Sequence, residues 1–526
     1  ASVGKSPGPN RITGELLQTL PLTARWLMVH ANRAILRGVS PPKDWKDALV
    51  YLLPKGDIDG YLDAYRPIAL GQTDMKVLLR PVLQRFLQLL TKNGVFSETQ
   101  HGSLQGASVD AAIFIAQRKL ASAGPSHVVS FDASKAFDSA PHGAIALVLT
   151  HLGMPPDLRS LFLFAHVGAR VRLVTAHGLT EVVILYRGVR QGAVESPILY
   201  NLLLEPLLRA LPGAARINPA SLLLGYCDDL LLIVHCWEDL HRAVEYMSKY
   251  LSSLGMSFNP KKCKFMTTEP AVGVLVFLSG KWVYLPANMQ VPYLGVRLDP
   301  RGFASIHPKH FSRIEALAVW ACGTLSPPAV AVEALRATIG GIVRFAAAFT
   351  NSRSPQIKGL VRILRTTGVA VGKLAFNFSN HGIFSTHGMG MPDLDHICHC
   401  GVITVIARLA RHRCKSVRQA VSEVLHSASR EWGICSEVFL PSPALSSVSG
   451  PRWEDRLVRA LASLGVGLLA SSIAPCPDAW RPQVQLAGNS WTHQTGVLRG
   501  TAVCILAGPA DPQDVGHLPD TSHLVH

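Results

Sequence analysis

Cysteine is scarce in this chain, ten in 526 residues, and several of them (Cys227, Cys236, Cys322, Cys504) sit inside apolar runs. That density excludes a disulfide framework and fits reduced thiols in an intracellular protein. Long apolar runs are also missing. The longest candidates, residues 464–474 and 339–349, are short or interrupted against the roughly 18 residues that span a bilayer. No charged n-region and apolar h-region open the chain, so a secretory signal is set aside. Internal repeats and low-complexity tracts are absent, which excludes a solenoid. Acidic residues are in deficit, 35 against 51 Lys and Arg, for a formal charge of +16. A surplus of that size suits a polyanionic partner, although charge alone leaves a merely basic soluble protein equally open. Charged residues make up only 16% and hydrophobic ones 48%, which excludes a disordered chain and supplies a large core. The chain starts at Ala1 and enters a motif almost at once, an opening expected of a piece of a longer reading frame.

Periodicity organises what is present. Ser6-Pro7-Gly8-Pro9-Asn10 reads as loop, and residues 12–36 carry helical spacing interrupted at Pro21. Residues 44–53 approach a strand that Pro54-Lys55-Gly56 breaks, and residues 80–90 form an amphipathic helix. Val128-Val129-Ser130-Phe131 reads as a buried strand ending at Asp132, with a helix over 142–152 after it. Residues 171–175 and 181–185 form a hairpin around Ala176-His177-Gly178-Leu179. Residues 222–226 and 230–234 are two more strands, separated only by Cys227-Asp228-Asp229, and a helix over 238–254 ends at Gly255. Beyond about Asp299 the pattern turns helical: 314–320, 330–349, 402–410, 417–425 and 453–464. Domain boundaries are expected near 298–303 and 377–390.

An Asp-Asp pair in a tight turn is by itself most often only a turn, because Asp bonds its own backbone and tolerates left-handed geometry. Here the pair stands between Leu-Leu-Leu-Gly and Leu-Leu-Leu-Ile-Val. Two anions at the tip of a buried hairpin repel each other and are costly to desolvate, and a divalent cation resolves that cost. Asp132, at the end of its own apolar strand, is the natural third ligand if the two elements share a sheet. Magnesium suits such a site, since it takes a few carboxylates together with water and substrate phosphates. Two such ions can activate a 3′-hydroxyl and stabilise a leaving pyrophosphate.

The ordered motifs around these carboxylates carry a resemblance. Phe131-Asp132-Ala133-Ser134-Lys135-Ala136-Phe137-Asp138-Ser139, Gly188-Val189-Arg190-Gln191-Gly192 with Ser196-Pro197, and Tyr226-Cys227-Asp228-Asp229 follow one another along the chain. Leu254-Gly255 with Asn259-Pro260-Lys261-Lys262-Cys263-Lys264 comes next, and then Tyr293-Leu294-Gly295. Upstream stand Gly8-Pro9 with Glu15-Leu16-Leu17, and Pro54-Lys55-Gly56 with Tyr65-Arg66-Pro67-Ile68. Together these blocks resemble the finger and palm motifs of reverse transcriptases from LINE-type (non-LTR) retrotransposons.

The resemblance implies an α+β right-hand polymerase with a helical C-terminal extension. Fingers would span 1–120, the palm with interleaved finger segments 121–300, and a helical thumb 301–380. The extension would span 381–506, with a disordered tail over 507–526. It implies Asp132, Asp228 and Asp229 as ligands of two Mg2+ ions, with Mn2+ as a substitute. Phe137 would be the steric gate beneath the incoming sugar, and Lys55 and Arg66 would hold the triphosphate. Gln191 would meet the templating pair or the nucleotide, with Gly192 allowing close backbone approach. Lys262 would protonate pyrophosphate, although Lys261 and Lys264 beside it leave a plain phosphate-tracking strip open. The partners implied are an RNA template, a DNA primer or target and dNTPs, with no membrane and a nuclear location.

The chain departs from the family pattern in three places. Ala193-Val194-Glu195 stands where Asp-Pro-Leu is usual, Asn10-Arg11 replaces Asp-Gly, and Gln100-His101-Gly102-Ser103 lacks the usual Phe. Gly388-Met389-Gly390-Met391-Pro392-Asp393-Leu394 resembles a loop found after the thumb in related elements. His396, Cys398, His399 and Cys400, with Cys414, lack the two-residue gaps of a zinc site and read as helix-packing residues. No nuclease constellation appears. Two other readings stay open: a group II intron-type reverse transcriptase and maturase, and a catalytically silent RNA-binding derivative. An RNA-dependent RNA polymerase fits less well, since Gly would replace Cys227 and a smaller residue Phe137.

Overall fold

The computed structural model describes residues 4–19, 40–54, 65–122, 124–323, 327–374, 379–384, 391–432, 443–448 and 452–464, with short pieces elsewhere. Lys55, Gly388 and the tail beyond residue 507 lie outside the described residues. The chain divides into two compact units. The first comprises residues 1–105, 129–264 and 272–286, and the second 106–128, 265–271 and 287–526. This division falls ahead of the 298–303 boundary expected from composition, because the short strands that follow residue 290 pack with the helices after them.

In the first unit, strands β1 (Asp47–Pro54) and β2 (Tyr65–Gly71) pair antiparallel, with Leu53 opposite Arg66. The strand β3 (His127–Asp132) follows, and then β4 (Ala169–Thr175), β5 (Gly178–Leu179) and β6 (Val183–Leu185). β4 lies parallel to β1 and carries β5 and β6 antiparallel. Behind this sheet runs the helix Thr73–Lys92, with Met75, Leu78 and Leu79 buried around Trp45, Leu161 and Ala165. Trp45 Nε1 donates to Asp74 Oδ2 at 2.9 Å, so this buried carboxylate is partnered.

The hairpin β7 (Leu222–Tyr226) and β8 (Asp229–Val234) forms one side of a second sheet, with β7 at its edge. β3 adds beside β8, and β9 (Lys264–Thr267), through which the chain leaves the unit, lies beyond β3. Leu230, Leu231, Leu232, Ile233 and Val234 are all buried. β8 therefore reads as a continuous apolar run, because both of its faces are covered. Helix Ser196–Ala214 covers β7, and helix Trp237–Ser253 returns along the hairpin of β10 (Gly273–Leu278) and β11 (Lys281–Pro286). Gly255 ends the latter helix at φ +63°, the conformation that favours glycine.

The second unit opens with helix Val109–Leu120, whose cap is Ser108 accepting from the Ala111 amide. A small sheet of β12 (Val291–Tyr293), β13 (Val296–Leu298) and β14 (Ala304–Ile306) precedes helices Pro308–Gly323, Pro328–Ala347 and Pro355–Val371. Helices Leu394–Leu409, Lys415–Trp432 and Trp453–Leu464 complete the helical part. The last is unusual in burying charge: Arg456 lies over the Trp453 ring at 4.3 Å and donates to the Ala348 carbonyl, and Glu454 meets Arg118 at 3.0 Å. After these helices, strands Gly467–Ser471, Gln483–Ala487 and Val503–Ala507 pair in one sheet. Those runs carry too little periodicity to separate strand from helix in sequence.

Candidate active site

The β7–β8 hairpin turns on Cys227 and Asp228. Tyr226 faces Asp229 as its last pair, so β8 begins one residue earlier than the apolar run suggests. Cys227 sits at φ +54°, a left-handed conformation that a non-glycine residue holds only under support. The support comes from residues 99–103. His101 N–H donates to the Gly225 carbonyl at 2.8 Å and Gly225 N–H to the Thr99 carbonyl at 3.0 Å. Asn201 Nδ2 holds the Gly102 carbonyl at 2.6 Å, and Ser103 Oγ lies 3.4 Å from Cys227 Sγ. A β-carbon on Gly102 would stand 2.4 Å from the Cys227 nitrogen, so only glycine fits under the turn. The segment without the usual Phe is thus the foundation of the aspartate turn.

Asp132 ends β3 next to β8 and is held from the other side. Asn259 N–H donates to the Asp132 carbonyl and Ser134 N–H to the Ser257 carbonyl, both at 2.8 Å. Asn259 also accepts from the Lys261 amide at 3.2 Å through its side chain, which folds Asn259-Pro260-Lys261-Lys262 into a turn. The turn places Lys262 Nζ 3.3 Å from Asp132 Oδ1, whereas Lys264 Nζ donates to the Lys261 carbonyl at 3.2 Å. Of these two lysines, only Lys262 meets the carboxylates.

The three carboxylates share one electrostatic environment. Desolvation raises Asp228, and Asp132 raises it further, while its own backbone amide, Arg66 and Lys262 pull it down. Asp229 is pushed up to about 6 by desolvation, followed by Asp228 and Asp132, although its carboxylate reaches the surface. Among the described residues no three His, Cys, Asp or Glu side chains are closed on a single ligating point. The aspartates are grouped through their charges. Hard carboxylate oxygens that oppose one another's ionisation are the donor chemistry that a small divalent cation satisfies.

Arg66, exposed on β2, lies close enough for its charge to lower the Asp228 carboxyl. Phe137 is half-buried in the short helix Ala136–Ser139 and stacks on Tyr200. Tyr200 is a residue that sequence reasoning missed. It is fully buried, its hydroxyl finds no hydrogen-bond partner among the described residues, and burial, then Asp228, Cys227 and Asp132, raise its pKa. Its position four residues after Ser196, on the buried face of a helix, looks in sequence like ordinary core. Gln191 presents its carbonyl to the Ala69 amide of β2 at 2.8 Å. Gly192 beside it stands at φ +107°, where a β-carbon would meet the Ala69 carbonyl oxygen at 2.8 Å. The structure therefore brings Asp132, Asp228, Asp229, Lys262, Arg66, Phe137, Gln191 and Gly192 into the first unit. Lys55 lies outside the described residues.

The chain is similar to several known proteins. The chain is 27% identical over 332 residues to the probable RNA-directed DNA polymerase from transposon BS of Drosophila melanogaster, covering 59% of this chain and 35% of that one. It is 27% identical over 268 residues to the Pol polyprotein from type-2 retrotransposable element R2DM of the same fly, covering 50% and 25%. Apo telomerase from Candida tropicalis resembles it at 14% identity and a TM-score of 0.40, covering 78% of this chain and 72% of that one. The chain thus spans about a third or less of the length of these two retrotransposon proteins. The reverse transcriptase (RNA-dependent DNA polymerase) family matches residues 53–298, which take in β2 through β13 and every site residue described above. Over that span the chain is similar to reverse transcriptases, those of non-LTR retrotransposons among them.

Proposed function

We propose that this chain is the polymerase core of a non-LTR retroelement: an RNA-directed DNA polymerase that extends a primer 3′ end with dNTPs on an RNA template. One observation carries the reading. Asp132, Asp228 and Asp229 couple to one another at the tips of adjacent strands, with Arg66 and Lys262 as the cations that oppose them.

In this reading the primer 3′-oxygen attacks the α-phosphorus of the dNTP, and the bond to the β-phosphate breaks to release pyrophosphate. Asp132, Asp228 and Asp229 would hold two Mg2+ ions, or Mn2+ in their place, which when bound acidify the primer hydroxyl and take up charge on the phosphates. Arg66 grips the triphosphate with its planar guanidinium, joined by Lys55. Phe137, backed by Tyr200, excludes a ribose 2′-hydroxyl, and Gln191 lies against the base pair being formed. Lys262 delivers the proton that the pyrophosphate takes up. The formal charge of +16 favours a nucleic-acid duplex, each phosphate contact releasing counterions. Among the described residues no helix is long and apolar enough to cross a membrane. We place the enzyme in the nucleus, where a DNA target is available.

Purified protein with poly(rA)/oligo(dT), dTTP and Mg2+ should incorporate label, and Asp228→Ala should not. Equal incorporation by that variant, or none by the parent, rejects the reading. A silent RNA-binding derivative would bind RNA equally well with or without Asp228.

A further inference from the structure

The loop that carries Gln191 holds more buried charge than a turn needs. Arg190 is 6% exposed, Glu195 1% and His166 0%. These groups form a line. His166 Nε2 stands 3.0 Å from Glu195 Oε1, and its Nδ1 accepts the Arg190 main-chain N–H at 3.2 Å. With Nδ1 accepting from the main chain, a single ring proton sits on Nε2, on the side of the Glu195 carboxylate. Ser196 Oγ closes the turn by donating to the Arg190 carbonyl at 2.7 Å. The Arg190 guanidinium lines a small cavity with Glu195 and Lys76, and its Nε and Nη1 have no hydrogen-bond partner among the described residues. Burial lowers the Arg190 pKa, which Glu195 and then Asp47 hold up. Burial pushes Glu195 up, but His166 and then Arg190 outweigh it, and the carboxyl ends below its usual range.

Buried charge of this kind is costly, and an apolar residue at 195 would fill the same space without that cost. The line earns its place by what it touches. Immediately before Arg190, the Val189 N–H donates to the Phe137 carbonyl at 2.7 Å; immediately after it, the Gln191 carbonyl accepts from Ala69 on β2, at 2.8 Å. The loop is strapped to the residue under the sugar on one side and to the strand of Arg66 on the other. The imidazole holds the peptide between the two straps.

We propose that Glu195 and His166 are positioning residues for nucleotide selection. Through the Arg190 peptide they hold Gln191 and Phe137 at the spacing that accepts a deoxynucleotide and refuses a ribonucleotide. This rests on the polymerase reading of the same site. Glu195 stands in one of the positions where the chain departs from the family pattern, so the device belongs to this chain's own sequence.

The test is steady-state incorporation of dTTP and of UTP on poly(rA)/oligo(dT), with thermal melts of the same preparations. Glu195→Gln and His166→Phe should each raise the dTTP KM about tenfold, leave kcat within about twofold, and cut the preference for dTTP over UTP about tenfold. His166→Gln, whose amide offers one acceptor and one donor, should recover most of that preference. Unchanged KM and preference in both variants overturn the proposal. So does a loss of kcat that tracks the folded fraction with preference intact, or the loss of a cooperative melt in both, since either assigns the line to stability alone. A parent that incorporates nothing rejects the polymerase reading, and this inference falls with it.

Discussion

Phe137 lies flat on Tyr200, the ring centroids 4.9 Å apart and the planes 14° from parallel. The ring proposed to lie beneath the incoming sugar therefore rests on a buried aromatic floor, supplied by a residue outside every motif. Tyr200→Ala should remove the floor and lower discrimination against UTP about tenfold, while dTTP kcat changes less. Tyr200→Phe keeps the stack and removes an unpartnered buried hydroxyl, so it should preserve discrimination with an equal or higher melting temperature. Parallel dTTP and UTP kinetics with a melt check both.

Gly102 has a defined mechanical role beneath the aspartate turn. In Gly102→Ala the β-carbon overlaps the Cys227 nitrogen, and the turn must move. The expected cost is about 1–3 kcal/mol of stability and at least about a tenfold loss of incorporation at saturating dTTP, because Asp228 moves with the turn. Urea unfolding and primer extension on one preparation check this. Parent-like extension would show that the turn is not strained by its neighbour.

The carboxylates set a pH dependence. Desolvation, then Asp228 and Asp132, push Asp229 up to about 6, so the Mg2+ needed for half-maximal incorporation should rise as pH falls through about 6. Added Mg2+ should restore the rate, since metal and proton compete for the same oxygens. Stability runs the other way. An acid whose folded pKa is raised binds its proton more tightly folded than unfolded. The metal-free protein therefore loses stability as pH rises from the ordinary carboxylate range to about 6, and stays at that lower level above it. The effect is small because this carboxylate reaches solvent. Asp229→Asn should leave the metal-free melting temperature at pH 7 equal or slightly higher while removing incorporation.

Lys262 and Lys261 are adjacent in sequence and differ in reach. Lys262→Ala should lower kcat by about a hundredfold or more, the range of a lost general acid, and Lys261→Ala by less than about twofold. Equal losses from the two would reduce both to a phosphate-tracking strip. Pre-steady-state incorporation separates the chemical step from template binding.

The aspartate hairpin was legible from sequence because two apolar runs flank Asp228 and Asp229, and such runs form strands wherever they can be buried. The helices expected over 142–152, 238–254 and 453–464 formed at 142–151, 237–253 and 453–464, the second stopped at Gly255. The late strands 467–471, 483–487 and 503–507 were not legible, for want of any period. Glu195 appeared in sequence only as a departure from the family pattern, with no sign that His166, 29 positions earlier, would stand 3.0 Å from it.

The sequence by itself determined the chemistry offered: three carboxylates on strand ends, a lysine-rich turn, an aromatic after the first aspartate and a basic surface. Residue type and local spacing are enough for that, because strand ends and turns are decided within a few residues. Only the tertiary structure decided which lysine meets Asp132, that Tyr200 floors Phe137, and that residues 99–103 carry the Cys227 turn. It also decided that Glu195 and His166 brace Arg190. Each of these is a contact between segments distant in sequence, and close packing and burial, rather than local propensity, select them.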